Sequence, residues 1–339
     1  GPELPVVSLR IRHLRIEDFR AFLGTHEFAF GADEDQHIEL IRGPNASGKS
    51  TIIEAFELCF FGGRNDDNLL MYVNRELVDG IKEGEKASAE ISVELFDTET
   101  SESIRISREV STLKTPTGKR DIVEDPVVKV RSERGEWEMV QNPKKYLGDL
   151  IPAEVRPFSF YDPEQTLGLD TWEEGHSYQE LVERARKMRN YAAHSLELDD
   201  SASVDVSTEY LRAVNQSLTK KETHLEIDES EEYLTLDNLE DGGSLMSAGE
   251  KTLVSFALVL AASELEGVYA PVIMDMPFAR VDLKILDTMC ELLRESSERQ
   301  VIIVEHRLDE LMEELGDAVA SYHLLSAHGD GTVGVEKKI

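Results

Sequence analysis

The fold of this chain is decided by the stretch Gly43-Pro44-Asn45-Ala46-Ser47-Gly48-Lys49-Ser50-Thr51. It fits the pattern G-x-x-x-x-G-K-[ST] at every position. Its glycines let the backbone wrap closely around an anion because they carry no Cβ atom. Lys49 supplies a point charge for the β- and γ-phosphates, and Ser50 supplies a hydroxyl for Mg²⁺. The stretch therefore predicts a phosphate-binding loop (P-loop) for ATP and Mg²⁺.

The residues on either side of this loop predict the strand and the helix that a P-loop requires. Residues 37–41 are mostly apolar and predict a short strand that enters the loop. After the loop, apolar residues recur at helical spacing, which predicts a helix. Residues 8–30 predict two further strands upstream. The positions that carry the helical spacing are Ile52, Ala55, Phe56, Cys59 and Phe60.

Residues 87–140 change to a two-residue period. Ala89, Ile91, Val93 and Leu95 alternate with polar residues, as in a strand with one wet face. Residues 115–119 contain the Pro and Gly of a turn. The pattern predicts an antiparallel meander inserted after the first helix.

The last third of the chain alternates apolar runs with helical segments. Residues 271–275 and 300–304 are apolar and predict strands, followed by helices over 283–295 and from 308. A longer helix is predicted to start near Ser247. Such alternation predicts a buried parallel sheet. Between the halves, residues 176–218 are helical and polar, and residues 198–203 interrupt them.

Two further segments of this region are candidates for chemistry. Asp275 ends an apolar strand, where a carboxylate can hold the water shell of Mg²⁺ from the strand adjoining the P-loop. The segment from Ser247 to Glu250 allows two interpretations. It is either a capping box, with Ser247 as N-cap, or a helix start whose hydroxyl and Gly249 amide contact an anion.

Composition limits the classes of partner. The chain has 339 residues, with 68 acidic residues against 36 basic ones and a net charge of −32. Such a surface repels nucleic acid, so DNA contact requires a local basic patch. The charge fits either a high-salt proteome or an ordinary acidic protein. The candidate patches are Arg10, Arg12, His13 and Arg15, and Arg184, Arg186, Lys187 and Arg189.

Cysteine usage and hydropathy point to a cytoplasmic protein with no membrane span. The two cysteines, Cys59 and Cys290, are far apart in apolar helical patterns, which predicts buried thiols in a reducing cytosol. No apolar run approaches the ~20 residues of a membrane helix. The opening Gly1-Pro2 is typical of a protease-cleavage remnant.

The order of these motifs resembles the ABC-type ATPase heads of the SMC superfamily, whose members include SbcC, RecN and RecF. The P-loop, the Ser-Ala-Gly-Glu segment, the strand ending at Asp275 and the later His306 carry the resemblance, which covers most of residues 8–327. In such heads the signature motif of one subunit caps the ATP held by the P-loop of another. The resemblance implies a homodimer that sandwiches ATP.

The resemblance also implies individual roles. Arg20 matches an early Asn-Phe-Arg motif near the phosphates, Asp275 the Walker B aspartate and His306 the switch histidine. Asp282 matches the D-loop. The signature motif is matched by Ser247, Gly249 and Glu250.

Two positions depart from the family pattern. Most members have Glu directly after the Walker B Asp, but here that residue is Met276, which cannot act as a base. Where the family has a Q-loop glutamine, this chain has Asp162, with Gln165 nearby. The residue that activates water is therefore open among Glu305, Asp282 and Asp162, or turnover is very slow.

Both departures resemble the DndD-type ATPases of DNA phosphorothioate modification. Those proteins carry Phe-Phe-Asp-Gly-Glu where this chain has residues 160–164, and Asp-Thr-Pro-Leu-Gly-Arg-Leu-Asp where it has 275–282. Because the match rests on two short stretches, related phage-defence ATPases stay open as an alternative. The resemblance implies ATP-driven DNA processing with other proteins of a modification or repair complex.

The sequence thus predicts an α/β fold, a two-lobed ABC ATPase head with a mixed or parallel P-loop sheet, an antiparallel β meander and a short helical coiled-coil stub. Residues 3–198 are expected to form the N-terminal lobe and residues 199–339 the C-terminal lobe. Such heads normally carry a long coiled coil. Either this chain is naturally short or, as the opening Gly1-Pro2 favours, the coil has been removed. The alternatives are a double-strand-break repair or chromosome-organising head, and a slow-hydrolysing, nucleotide-gated interaction module.

Overall fold

Two large sheets and a separate two-stranded ribbon organise the chain. Within the residues that the structure describes there are sixteen strands and five α-helices. The structure, a computed structural model, describes residues 7–43, 49–63, 72–151, 159–161, 225–228, 233–236, 252, 256, 260, 268–279, 281–306, 309–328 and 333–338.

The first sheet is mostly antiparallel and contains the predicted meander. Its long strands bury every second side chain, so that Ile91, Val93 and Leu95 all face the core. The strand β12 (Val268–Tyr269) joins it parallel to β1. Its other strands are β1 (Val7–Glu17), β2 (Thr25–Ala29), β4 (Lys86–Asp97), β5 (Glu102–Thr115), β6 (Gly118–Val123), β7 (Val127–Arg131) and β8 (Glu138–Met139).

The second sheet has five parallel strands and one antiparallel edge strand. Its order is β16-β15-β3-β14-β13-β9. All five residues of β14 are buried, as expected for a parallel strand covered on both faces. The strands are β3 (Ile38–Arg42), β9 (Phe160–Tyr161), β13 (Val272–Asp275), β14 (Val301–Glu305), β15 (Val319–Ala327) and β16 (Val333–Lys338). The ribbon pairs β10 (Leu225–Asp228) with β11 (Tyr233–Leu236).

Helix α1 (Lys49–Phe61) lies between the two sheets, because it contacts β4 and β5 of the first and β13 of the second. Its buried side chains belong to one continuous apolar core that includes residues of both sheets. The other helices are α2 (Arg75–Gly80), α3 (Pro143–Leu150), α4 (Leu283–Glu295) and α5 (Asp309–Leu315).

Gln300 joins the two sheets through a pair of buried hydrogen bonds. Its Nε2 donates to the Ile11 carbonyl at 2.8 Å, and the Ile11 N–H donates to its Oε1 at 2.6 Å. The pairing of β1 with β4 is interrupted by a bulge between Ile11 and His13. The glutamine therefore satisfies both backbone groups of Ile11 beside an irregular part of the ladder.

The predicted α/β fold is confirmed. The meander, the strands around the P-loop and the helix over 283–295 lie within a residue or two of their predicted bounds. Phe256 and Leu260, which belong to the helix predicted to start near Ser247, are both buried and lie four residues apart. The polar helices around 176–218 lie outside the described residues. The boundary between lobes stays a prediction.

Both cysteines are buried free thiols, as predicted. Burial raises the pKa of Cys59 and of Cys290 to about 12, so neither forms a thiolate near neutrality.

The helices in the described ranges are all too short or too polar to span a lipid bilayer.

A buried imidazole makes the stability of this fold sensitive to acid. The His323 ring packs against Phe28 and Phe30, with ring centroids 5.3 and 5.5 Å away, and neither ring nitrogen has a hydrogen-bond partner among the described residues. Burial, with the charge of Lys337, lowers the pKa of His323 from 6.5 to about 4. Because the folded pKa lies below the unfolded one, the contribution to stability is complete above pH 6.5 and is lost as the pH falls towards 4.

We expect the free energy of unfolding to fall by about 2 kcal/mol between pH 7 and pH 5 through this residue alone. His323→Phe should remove this part of the pH dependence of stability, because a phenyl ring fills the same space without binding a proton. Urea unfolding at pH 7 and at pH 5 measures the free energy of unfolding of each variant. The control is His328→Phe, which replaces an exposed histidine. An equal fall in the free energy of unfolding between pH 7 and pH 5 in both variants would contradict the assignment to His323.

Candidate ATP site

The carboxyl ends of three parallel strands meet at one edge of the second sheet. The register pairs Arg42 of β3 with Glu305 of β14, and Val304 of β14 with Asp275 of β13. Gly43, at the start of the P-loop, therefore follows its strand at the same edge as Asp275. In open parallel sheets, ligands bind in the crevice outside these ends.

The order of these strands differs from the predicted one. We expected the strand ending at Asp275 to adjoin the strand before the P-loop, but β14 lies between them. An apolar run shows that a strand is buried, and it carries no information about its neighbours. The fully buried β14 takes the position between β3 and β13. As a consequence His306, which follows β14, enters this edge between Gly43 and Asp275.

Helix α1 begins at Lys49, directly after the loop. Its first turn carries no acidic residue. The first N–H groups of a helix have no intrahelical partner and, together with the helix dipole, favour an anion there. Gly43 and Thr51 are buried. The loop residues 44–48, and the side chains of Lys49 and Ser50, lie outside the described part.

Arg20 lies beside this helix and contacts its second turn. Its Nε is 2.8 Å from Glu54 Oε2, and Glu54 lies roughly 7.5 Å along the helix axis from Lys49. The Arg20 backbone has a φ of 47°, and its N–H donates to the Tyr72 carbonyl at 2.8 Å. The Asn74 side chain donates to the Arg20 carbonyl at 2.7 Å. These bonds hold a left-handed turn that few non-glycine residues adopt.

One nitrogen of the Arg20 guanidinium is suited to donate a hydrogen bond to a phosphate. Its Nη1 is buried and has no hydrogen-bond partner among the described residues. A buried charged donor without an acceptor is costly, and a phosphate oxygen would satisfy it. Arg20 was predicted from its motif, whereas its partner Glu54 was not singled out. Only the helical spacing from Lys49 could have indicated that residue.

Asp275 ends β13 half-buried, and the chain then turns sharply at Met276. Met276 has a φ of 45°, and its N–H donates to the Val304 carbonyl at 2.8 Å. A carboxylate at the end of a strand, at the same edge of the sheet as Gly43, fits a Mg²⁺ ligand. Among the described residues no cluster of three or more His, Cys, Asp or Glu side chains forms a metal site, so the phosphates and the hydroxyl of Ser50 would have to complete the coordination.

Glu305 is a buried carboxylate whose two oxygens are both engaged. Its Oε2 accepts from the Phe278 N–H at 3.2 Å, and its Oε1 accepts from the His306 N–H at 2.9 Å. The same Oε1 lies 3.1 Å from His306 Nδ1. The His306 side chain is 44% exposed and Glu305 only 1%. The carboxylate thus links the strand end to the turn after Asp275.

The other predicted site residues divide into two groups. Asp282 is the N-cap of α4, and its Oδ1 accepts from the Ile285 N–H at 2.9 Å. This bond stabilises the helix start and occupies the carboxylate. The remaining predictions lie outside the described residues: Asp162, Gln165, Ser247, Gly249 and Glu250.

The first candidate DNA patch is engaged within the chain. Arg10 and Arg12 donate to the carbonyls of Asp33 and Ala32 at 3.1 and 2.7 Å, and Arg15 pairs with Glu17 at 2.9 Å. Those contacts favour a structural role for these arginines. The second candidate patch, residues 184–189, lies outside the described residues.

Comparison with known proteins identifies a family and a fold. The model of the AAA_23 family, an AAA domain, matches residues 13–266, more than half of the chain. No curated protein matches.

Solved structures of SMC heads match nearly the whole chain. An SMC head domain from Thermotoga maritima is 17% identical with a TM-score of 0.54, over 97% of this chain and 99% of that one. An SmcHead bound to the C-winged helix domain of ScpA is 18% identical with a TM-score of 0.63, over 97% of both chains. The Pyrococcus furiosus Smc head with an extended coiled coil, bound to the C-terminal domain of ScpA, is 17% identical with a TM-score of 0.60, over 97% and 96%. The chain has the fold of an SMC head and belongs to the AAA_23 family of AAA domains.

Proposed function

We propose that this chain is an ATP-binding and ATP-hydrolysing head that acts as a pair. The observation that carries the proposal is the meeting of Gly43, Asp275 and His306 at one edge of a parallel sheet. That edge lies where α1 begins, and it joins a P-loop sequence to a strand-end carboxylate and an exposed imidazole. Phosphate transfer to water needs these parts and little covalent chemistry from the protein.

Each residue has a proposed task. Lys49 and Arg20 hold the phosphates, and the buried Nη1 of Arg20 supports that task. Ser50 and Asp275 would hold Mg²⁺, which when bound neutralises charge on the phosphates. His306 senses the γ-phosphate, and Asp162 and Gln165 would face the same site.

The second half of the site is proposed to come from another molecule. Ser247, Gly249 and Glu250 would reach the γ-phosphate of the ATP held by a partner, in a head-to-tail homodimer with two nucleotides. Residues 3–198 and 199–339 would form the two lobes of each head. A two-fold dimer of this kind uses the same surface twice and closes on itself.

The biological setting is proposed from the two departures at 160–164 and 275–282. They favour a DndD-like role in DNA phosphorothioate modification. A repair or chromosome-organising head fits the SMC fold equally well, and solved Smc heads carry domains of ScpA. Met276 favours a third candidate, a nucleotide-gated module that barely hydrolyses ATP. Co-purification with a sulfur-transfer protein would favour the first candidate, a nuclease subunit the second, and neither partner the third. Titration of the ATP-bound dimer with DNA at low salt tests DNA binding.

Nucleotide-dependent dimerisation tests the proposal as a whole. We expect sedimentation velocity to show a monomer without nucleotide and with ADP, and a dimer with ATP and Mg²⁺. The reason is that the γ-phosphate is the group shared by the two halves of the site. The dimer should persist longest with a non-hydrolysable ATP analogue. A sedimentation coefficient that does not change with nucleotide would contradict the proposal.

A further inference from the structure

The carboxylate that is lacking at position 276 has a counterpart on the neighbouring strand. Because Asp275 pairs with Val304, Met276 and Glu305 each follow directly after the last residue pair between their two strands. The Met276 N–H also donates to the Val304 carbonyl, which keeps the two strands in register to this point. Glu305 is therefore a carboxylate one strand away from the usual place.

The contacts of Glu305 hold a histidine ring in a defined orientation. Its Oε1 lies 3.1 Å from His306 Nδ1, which favours the tautomer with the proton on Nδ1. The other ring nitrogen, Nε2, then carries a lone pair and points away from the carboxylate. The ring is 44% exposed, so it can meet a ligand or a water molecule at the strand ends.

The same carboxylate also fixes the turn that follows Asp275. Its Oε2 accepts from the Phe278 N–H at 3.2 Å, and Phe278 itself is fully buried. One buried side chain thus links the ring of His306 to the backbone after Met276. The other described candidate, Asp282, uses its carboxylate to cap α4.

We propose that Glu305 is a positioning residue and His306 the catalytic base of ATP hydrolysis, a proposal that rests on the proposed function. The water molecule gives a proton to His306 Nε2 while its oxygen forms a bond to the γ-phosphorus. The bond from that phosphorus to the bridging oxygen of ADP breaks, and ADP keeps the electron pair. The exposed imidazolium then returns the proton to solvent.

The test compares Glu305→Gln and His306→Gln with the wild type in steady-state ATPase assays. We expect kcat to fall by about 100-fold for His306→Gln and at least about 10-fold for Glu305→Gln, with little change in KM. Binding of a fluorescent ADP analogue should stay within about 3-fold of wild type, since ADP lacks the γ-phosphate that His306 senses and a base acts only in the transition state. The exposed Glu298→Gln is the matched control. Adding Met276→Glu to either variant should restore kcat, because it returns a carboxylate to the usual place.

A spectroscopic reading separates positioning from catalysis. In protein with ¹⁵N-labelled histidines, the His306 signals should show a proton on Nδ1 in the wild type and a mixture of tautomers in Glu305→Gln. An unchanged tautomer would overturn the role of Glu305. An unchanged kcat in His306→Gln, which alters an exposed ring and should fold, would overturn the role of the base. A wild type that neither binds ATP nor dimerises would instead refute the proposed function.

Discussion

Replacing Lys49 with alanine is expected to weaken ATP binding by about 30- to 150-fold, because a charge-assisted contact to phosphate contributes about 2–3 kcal/mol. Hydrolysis should fall below detection for the same reason. Lys49 begins α1, immediately after the loop, where the first turn carries no other charge. Isothermal titration with ATP and Mg²⁺ measures the affinity.

The control for this variant is Lys145→Ala, which removes an exposed lysine of α3, a helix that contacts β7 of the first sheet. It should bind ATP like the wild type. Thermal melting should show that both variants fold. An affinity of Lys49→Ala within about 3-fold of the wild type would show that the loop does not hold phosphate.

Replacing Gln300 with leucine is expected to lower the free energy of unfolding by about 2–4 kcal/mol, because the N–H and C=O of Ile11 would both be buried without a partner. Gln300 is fully buried and makes both of these bonds at once. Leucine has a similar volume, so the loss reports on hydrogen bonding and leaves packing nearly unchanged. Urea unfolding at pH 7 gives the difference.

Gln36→Leu is the matched control, since Gln36 is exposed on the turn before β3. Its effect should stay within about 0.5 kcal/mol. Equal stability of Gln300→Leu and Gln36→Leu would show that the hydrogen bonds between Gln300 and Ile11 do not stabilise the fold.

Local patterns were enough to predict most elements of the fold. The strands β13 and β14 and the helix α4 follow from apolar runs and helical spacing, and their bounds match within a residue or two. The order of the strands did not follow, because it depends on crossovers between distant segments. The bonds of Gln300 to Ile11 join residues 289 positions apart, and no local pattern indicates such a contact.

The candidate site likewise combines residues that local motifs predicted with contacts that no local motif indicates. The P-loop and Asp275 were predicted from short motifs whose chemistry requires those residue types, and His306 was predicted from the resemblance to ABC-type heads. The contact of Arg20 with Glu54 and that of Glu305 with Phe278 depend on tertiary packing. Met276 was recognised as a departure, but only the register of β13 and β14 shows that Glu305 follows the residue paired with Asp275.

Mixing two inactive variants tests the composite site most directly. Lys49→Ala would disable the P-loop, and in the proposed dimer Ser247→Glu would place a negative charge against the γ-phosphate of the partner's ATP. In a head-to-tail dimer of one of each, one site would combine both defects and the other would be intact. With random pairing, half of the dimers are mixed and one of their two sites works, so the account predicts about a quarter of wild-type ATPase activity. Activity no higher than that of the two variants measured separately would contradict it.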